Sequence, residues 1–399
     1  MSMSAMKLAL LAAAVPLLAA GSAAAKVYIE WRPRVSLMGG FDDNVQLNGN
    51  GGDGFGQAVP GIKLDVFGDH DLHMDVDCQA GVARLVHPQE FGISSGAFAT
   101  NETCGLGTRV KLSTRDKLQL RTSATYAQDP FAIAGLGLLL RPGQTQIFVG
   151  KFQGMVEHAL TGHSHFDYGL DAQALAFGVN DPGNGYVLAP QARYAWKTSA
   201  RSTWYLGVRE QLFFAVGADP GSPLAPKGSP GGLLDEAHSA LLGYTYALTP
   251  WANLIARAGG ILVTGGVSDV VMPTARIGIE SYTPDNLFSF TLAHDLMIGP
   301  TTAGPVVADV LELGWIRDWE HFAIHLGTGI YRNIGVDKAY AAAGALGYTA
   351  DAALAWKFTR DLRLEGAALR DARLNDLTVA QQVDRDVLQL RFVWEKARF

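Results

Sequence analysis

His163 and His165 stand two residues apart, and a His-x-His pair on one face of a strand presents two imidazoles able to hold a transition-metal ion. No third ligand is identifiable nearby in sequence, so the pair reads as solvated polar residues beside a turn. Neither a metal nor another cofactor is expected. Cys78 and Cys104 each sit among alternating apolar residues, Leu72, Met74 and Val76 around the first and Leu106, Val110 and Leu112 around the second. In an oxidising compartment the two thiols are placed to form a disulfide, whereas out of register they are two small apolar residues. Neither arrangement makes them catalytic. There is no phosphate loop or Cys-x-x-Cys pair, and Asn101-Glu102-Thr103 reads as a polar strand start. No enzymatic role is expected. What the chain offers instead is a series of cations in polar positions that alternate with apolar ones: Arg32, Arg34, Lys63, Arg109, Lys111, Lys117, Arg121, Arg193, Lys197, Arg209, Arg257, Arg276, Lys357, Arg363 and Arg391. Cations in such positions, on one wall of a water-filled space, attract anions, but Asp65, Asp75, Asp77, Asp167, Asp171, Glu280, Asp351 and Glu365 are interspersed among them, so the expected wall is mixed and not a pure anion filter.

The elements that position them repeat every second residue. In Glu30 to Leu37 the odd positions are apolar and the even ones polar, the pattern of a strand with one greasy and one wet face. Phe166, Tyr168 and Leu170 alternate with His165, Asp167 and Asp171, and Leu388, Leu390, Phe392 and Trp394 alternate with Gln389, Arg391 and Glu395. Of the 399 residues 48% are hydrophobic and 18% charged, 46 are glycine, and the net charge is −6. The acidic balance excludes a basic nucleic-acid binder, and the glycine content argues against a helical bundle.

Turn spacing separates a soluble sandwich from a membrane barrel, which joins its strands alternately by tight turns and longer loops. Tight turns are read at Gly68 to Asp71, Thr114 to Asp116, Thr161 to His163, Thr198 to Arg201, Thr249-Pro250, Thr283 to Asn286, Arg317-Asp318 and Thr359 to Asp361. Longer Gly/Pro/Asn-rich links lie between them, such as Asp42 to Gly56, His87 to Thr100, Asp129 to Gly143, Gly217 to Gly232 and Ala372 to Asp384. The eight tryptophans flank tight turns or lie near the termini, as amphipathic rings at one lipid interface would. Met1 to Ala25, with Lys7, a leucine- and alanine-rich run and a final Ala23-Ala24-Ala25, reads as a cleaved secretory signal. The expected architecture is all-β: a single antiparallel up-and-down transmembrane barrel of about 18 strands over residues 26–399, with both termini in the periplasm.

The chain thus resembles Gram-negative outer-membrane barrel proteins, and Phe399 resembles the terminal aromatic read by the barrel-assembly machinery of that class. Glu395 and Ala397 occupy the in-register positions where the class carries further aromatics or apolar residues. A narrower resemblance lies in Gly39-Gly40-Phe41-Asp42-Asp43-Asn44-Val45, followed by a strand containing Pro60, which is similar to the opening of the β-barrel porin family of exopolysaccharide loci. It implies an outer-membrane channel exporting an exopolysaccharide or capsular polymer, in company with a periplasmic export or co-polymerase protein. The alternative reading is a diffusion porin, general or substrate-selective, for small solutes. A third is an adhesin or structural surface barrel. Outer-membrane lipid and lipopolysaccharide are the expected surroundings, nucleic acid is not a partner, and the expected state is a monomer. The links Phe131 to Pro142, unusually apolar, and Asp219 to Gly232 are expected to constrict or cover the pore.

Overall fold

A computed structural model describes residues 27–43, 51–69, 71–87, 99–127, 147–176, 184–216, 233–265, 269–298, 305–336, 345–376 and 383–396. Met1 to Ala25 (the expected signal segment), the links Phe131 to Pro142 and Asp219 to Gly232, and Phe399 lie outside them. The described residues form eighteen strands. The first six are β1 (Tyr28–Asp42), β2 (Asp53–Gly68), β3 (Leu72–Leu85), β4 (Ala99–Lys111), β5 (Asp116–Ala127) and β6 (Ile147–Ala159). Next come β7 (Ser164–Ala176), β8 (Gly185–Lys197), β9 (Ser202–Ala215), β10 (Leu233–Thr249), β11 (Ala252–Thr264) and β12 (Val270–Thr283). The chain finishes with β13 (Asn286–Ile298), β14 (Pro305–Asp318), β15 (Phe322–Gly335), β16 (Ala345–Lys357), β17 (Leu362–Asp376) and β18 (Val383–Glu395). Each strand pairs antiparallel with its neighbours in sequence, and β1 pairs with β18, so the sheet closes into an 18-stranded up-and-down barrel.

Period-two alternation gives each strand its two faces. On β9, Leu206 and Val208 are exposed on the outer face while Gly207, Gln211 and Phe213 are buried on the inner one. On β18, Leu388, Leu390, Phe392 and Trp394 face out, and Val387 and Val393 face in. Aromatic pairs ring the tight-turn end of the outer face: Tyr194 with Trp196 at 5.7 Å between ring centroids, Trp204 with Tyr244 at 4.6 Å, and Phe322 with Trp356 at 5.1 Å. Near the long-loop end, Tyr186 stacks on Phe214 at 4.6 Å. Trp204 and Phe214 bracket β9, and at ~3.3 Å rise per residue and a tilt of about 40° their spacing spans about 25 Å, the height of an outer-membrane apolar band.

Five of the eight tight turns share one local device. A hydroxyl at the start of the turn accepts the backbone N–H two residues on: Ser113 from Arg115 at 3.1 Å, Thr161 from His163 at 3.1 Å, Ser199 from Arg201 at 3.2 Å, Thr249 from Trp251 at 3.2 Å and Thr359 from Asp361 at 3.2 Å. Short hydroxyl side chains stabilise such turns because they satisfy a donor that the ladder leaves free. The barrel is closed by a different device. Arg385 on β18 donates to Asp42 on β1 at 3.0 Å and 3.2 Å, with side-chain exposures of only 2% and 0%. Beside it, the backbone N–H groups of Asp43 and Asp386 donate to the Asp386 carbonyl and the Asp43 carboxylate, at 3.1 Å and 2.6 Å. The Phe41-Asp42-Asp43 segment therefore works as a clasp across the seam.

Candidate transport lumen

The inner wall is built from the polar phase of the strands, and its charges fall into groups that register creates. Around the seam, Arg32 meets Asp65 at 2.6 Å and Glu395 at 3.6 Å. Arg363 lies 4.0 Å from Glu395, and Arg391 lies 4.0 Å from Glu365. Arg34 contacts Asp77 at 2.5 Å and Gln79 at 3.0 Å. On β5 to β9, Lys117 pairs with Glu157 at 2.9 Å, Arg193 with Asp167 at 2.5 Å, and Arg209 lies 3.7 Å from Asp171. Arg193 also lies over the Tyr205 ring, 5.1 Å from its centroid. Arg257 pairs with Asp295, and Lys357 with Asp318.

A second set of inner-face cations makes no ion pair or hydrogen bond among the described residues: Lys63, Arg109, Lys111, Arg121, Lys151 and Arg276. Three sit opposite another cation in the ladder, Lys63 facing Arg32, Lys111 facing Lys117 and Arg276 facing Arg257. Like charges directly opposed raise the energy of the folded barrel unless an anion lies between them. Lys197 likewise points inward at the tight-turn end. Sequence reading missed Lys151 and Arg385. Lys151 lies at the loop half of β6, two residues before the in-phase Gln153, and the alternation around Phe148 and Phe152 was its available signal. Arg385 borders the link assigned from Ala372 to Asp384, and only the β1–β18 register reveals its partner.

The interior is not open all round. Near the loop end of β5 to β14 a buried apolar cluster that includes Ala127, Ile147, Leu175, Phe213, Ile261, Leu296 and Val307 fills the inner face. The unpartnered cations stand on β2, β4, β5, β6 and β12, and all but Lys151 lie at mid-strand or toward the tight-turn end, on the far side of that apolar filling from the loops.

The histidine pair is corrected by the structure. His163 lies in the tight turn, not on the strand, and the pair does not converge. His165 instead groups with Glu157 and Asp167, ligand atoms within 4.8 Å of one another. Both carboxylates are already matched by Lys117 and Arg193, so a dication there would meet a site neutralised in advance. Cys78 and Cys104 are direct cross-strand partners with Cα atoms 4.0 Å apart, joined by a disulfide on the outer phase of β3 and β4. Gly92-Ile93-Ser94-Ser95-Gly96 has the spacing of a nucleophile elbow, but that elbow belongs to a strand-to-helix turn. Here the segment links two strands and lies outside the described residues.

No family model and no curated protein matches the sequence. Among solved structures, the chain is similar to OpdK of Pseudomonas aeruginosa, crystallised with vanillate, at 10% identity and a TM-score of 0.43, over 92% of this chain and 98% of that one. It is similar to a BenF-like porin from Pseudomonas fluorescens Pf-5 at 8% identity and a TM-score of 0.46, over 92% and 99%. The ferric enterobactin receptor PfeA of Pseudomonas aeruginosa, as a mutant, gives 10% identity and a TM-score of 0.40, over 92% and 80%. The function of this chain has to be argued from its own walls, a closed 18-stranded antiparallel barrel with an apolar outer face and a charged inner one.

Proposed function

We propose that the chain is an outer-membrane diffusion porin selective for small anionic solutes, with the tight-turn end in the periplasm. The observation that carries this reading is the set of inner-face cations left without a partner, Lys63, Arg109, Lys111, Arg121 and Arg276. A carboxylate or phosphate passing along them exchanges its hydration for a succession of weak ionic contacts, strong enough to admit it and too weak to hold it. A barrel of this strand number leaves an aqueous channel unless it is plugged. The reading prefers a porin to a polymer exporter for two reasons. The apolar filling near the loop end narrows the path, and the Phe41-Asp42-Asp43 segment that suggested an export locus is occupied in closing the seam.

Reversal potentials in planar bilayers across a salt gradient test it. The wild type should favour anions, and changing Lys63, Arg109, Arg121 and Arg276 together to Glu should reverse the preference, with assembly checked by heat-modifiable mobility. A cation-selective wild type, or a correctly assembled barrel that never conducts, overturns the reading.

A further inference from the structure

The outer face of β8 to β12 departs from the rest of the barrel wall. Glu210 on β9 and His238 on β10 both face outward and are direct partners in the ladder. They sit in a shallow hollow of about 680 Å³ whose floor and walls include Pro190, Ala192, Ala240 and Gly260. Proline and small residues make the hollow: the β8–β9 pairing is interrupted at Pro190, beside Glu210, because proline has no N–H to give. Glu210 lies four residues from Phe214 on the same face, about 10 Å inside the outer aromatic ring at the rise and tilt used above. No ion pair or hydrogen bond reaches the Glu210 carboxylate among the described residues, whereas His238 lies 3.8 Å from Glu236 on its own strand.

We infer that this face binds a second copy of the chain, Glu210 of each protomer pairing with His238 of the other. Two barrels inserted in the same sense are related by a two-fold axis along the membrane normal, and such an axis requires a self-complementary patch. An axis running between β9 and β10 at the level of the Glu210–His238 pair brings the carboxylate of one copy against the imidazole of the other, twice. Below them the same operation sets Val208 of one copy against Ala240 of the other, where the small side chains let the two walls approach closely. An acyl chain filling the hollow would leave Glu210 unmatched in hydrocarbon, where a charged group is costly. The second copy matches it. The inference departs from the monomer expected from sequence, and it takes from the proposed function only that this face lies in lipid.

Ala240→Cys places a single free thiol beside the axis, since Cys78 and Cys104 are bridged. In outer-membrane fractions a short bis-maleimide should cross-link it to a dimer, while Ala352→Cys on the outer face of β16 should stay monomeric. Added to Ala240→Cys, Glu210→His or His238→Glu alone should cut cross-linking by about tenfold or more, and the two together, which restore the pair with its members exchanged, should recover it. Recovery of the wild type in the soluble periplasmic fraction defeats the membrane reading itself. A membrane-embedded chain defeats the dimer alone if Ala240→Cys fails to cross-link, if the single changes leave cross-linking intact, if the double change does not restore it, or if the hollow retains a lipid or another protein in a one-copy particle.

Discussion

At the scale of single residues, the Asp42–Arg385 pair and the Cys78–Cys104 bridge carry the sharpest expectations. An ion pair with both side chains buried is costly to break from one side, because the survivor is left charged and unsolvated. Arg385→Leu should therefore destabilise the closed barrel by about 3–5 kcal/mol, read as an earlier transition in heat-modifiable mobility. Asp42→Leu with Arg385→Leu should recover most of that loss, since no orphan charge remains. If the double variant is as weak as the single one, the clasp acts through something other than its charges. The disulfide closes a segment of 26 residues in sequence separation, for which chain entropy gives about 3 kcal/mol. Cys78→Ala with Cys104→Ala should lower the unfolding free energy obtained from urea titration by no more than that, because the bridged strands already pair along their length. A much larger shift would place the bridge on the assembly path. The alternation around each cysteine was legible in sequence, but their direct opposition was not, since it depends on a register that neither strand contains by itself.

At the scale of elements, the recurrent hydroxyl at the tight turns explains why Thr and Ser mark so many of them. Each accepts the N–H two residues on, at 3.1–3.2 Å in the turns of Arg115, His163, Arg201, Trp251 and Asp361, and Ser113 and Ser199 accept a second, from Asp116 at 3.0 Å and Ser202 at 3.1 Å. Replacing Thr161, Ser199 and Thr359 singly by Ala should cost about 1 kcal/mol each, and the three together should add, because the turns are far apart in the barrel. Refolding yield into detergent measures this. Losses that fail to add would mean that the turns fold as one cooperative rim. These turns were read from sequence because their chemistry is local: the acceptor and donor are two residues apart. The strand ends were less legible. The link placed from Ala372 to Asp384 is shorter in the structure, with β17 reaching Asp376 and β18 starting at Val383, because polar residues at a barrel mouth continue the ladder as readily as they form a loop.

At the scale of the whole molecule, the proposed anion preference rests on the summed field of the unpartnered cations, so it should weaken as salt screens them. The ratio of anion to cation permeability should be larger at 10 mM salt, where the Debye length is ~30 Å, than at 1 M, where it is ~3 Å. A ratio independent of salt would point to selection by fit at one contact site. Sequence by itself determined the fold class and which way each side chain faces, because alternation along a strand is a property of consecutive residues. It also set the number of strands, through turn signals spaced along the chain. Only the tertiary structure decided which charges neutralise one another. Arg32 finds Asp65 across 33 residues, Arg34 finds Asp77 across 43, and Arg385 finds Asp42 across 343. Those partners are set by the stagger between neighbouring strands and by closure of the barrel. A period of two leaves the stagger undetermined, since sliding one strand past another by two residues keeps every face and changes every neighbour. The same stagger left Lys63, Arg109, Arg121 and Arg276 without partners, and placed Glu210 against His238 on the outer wall.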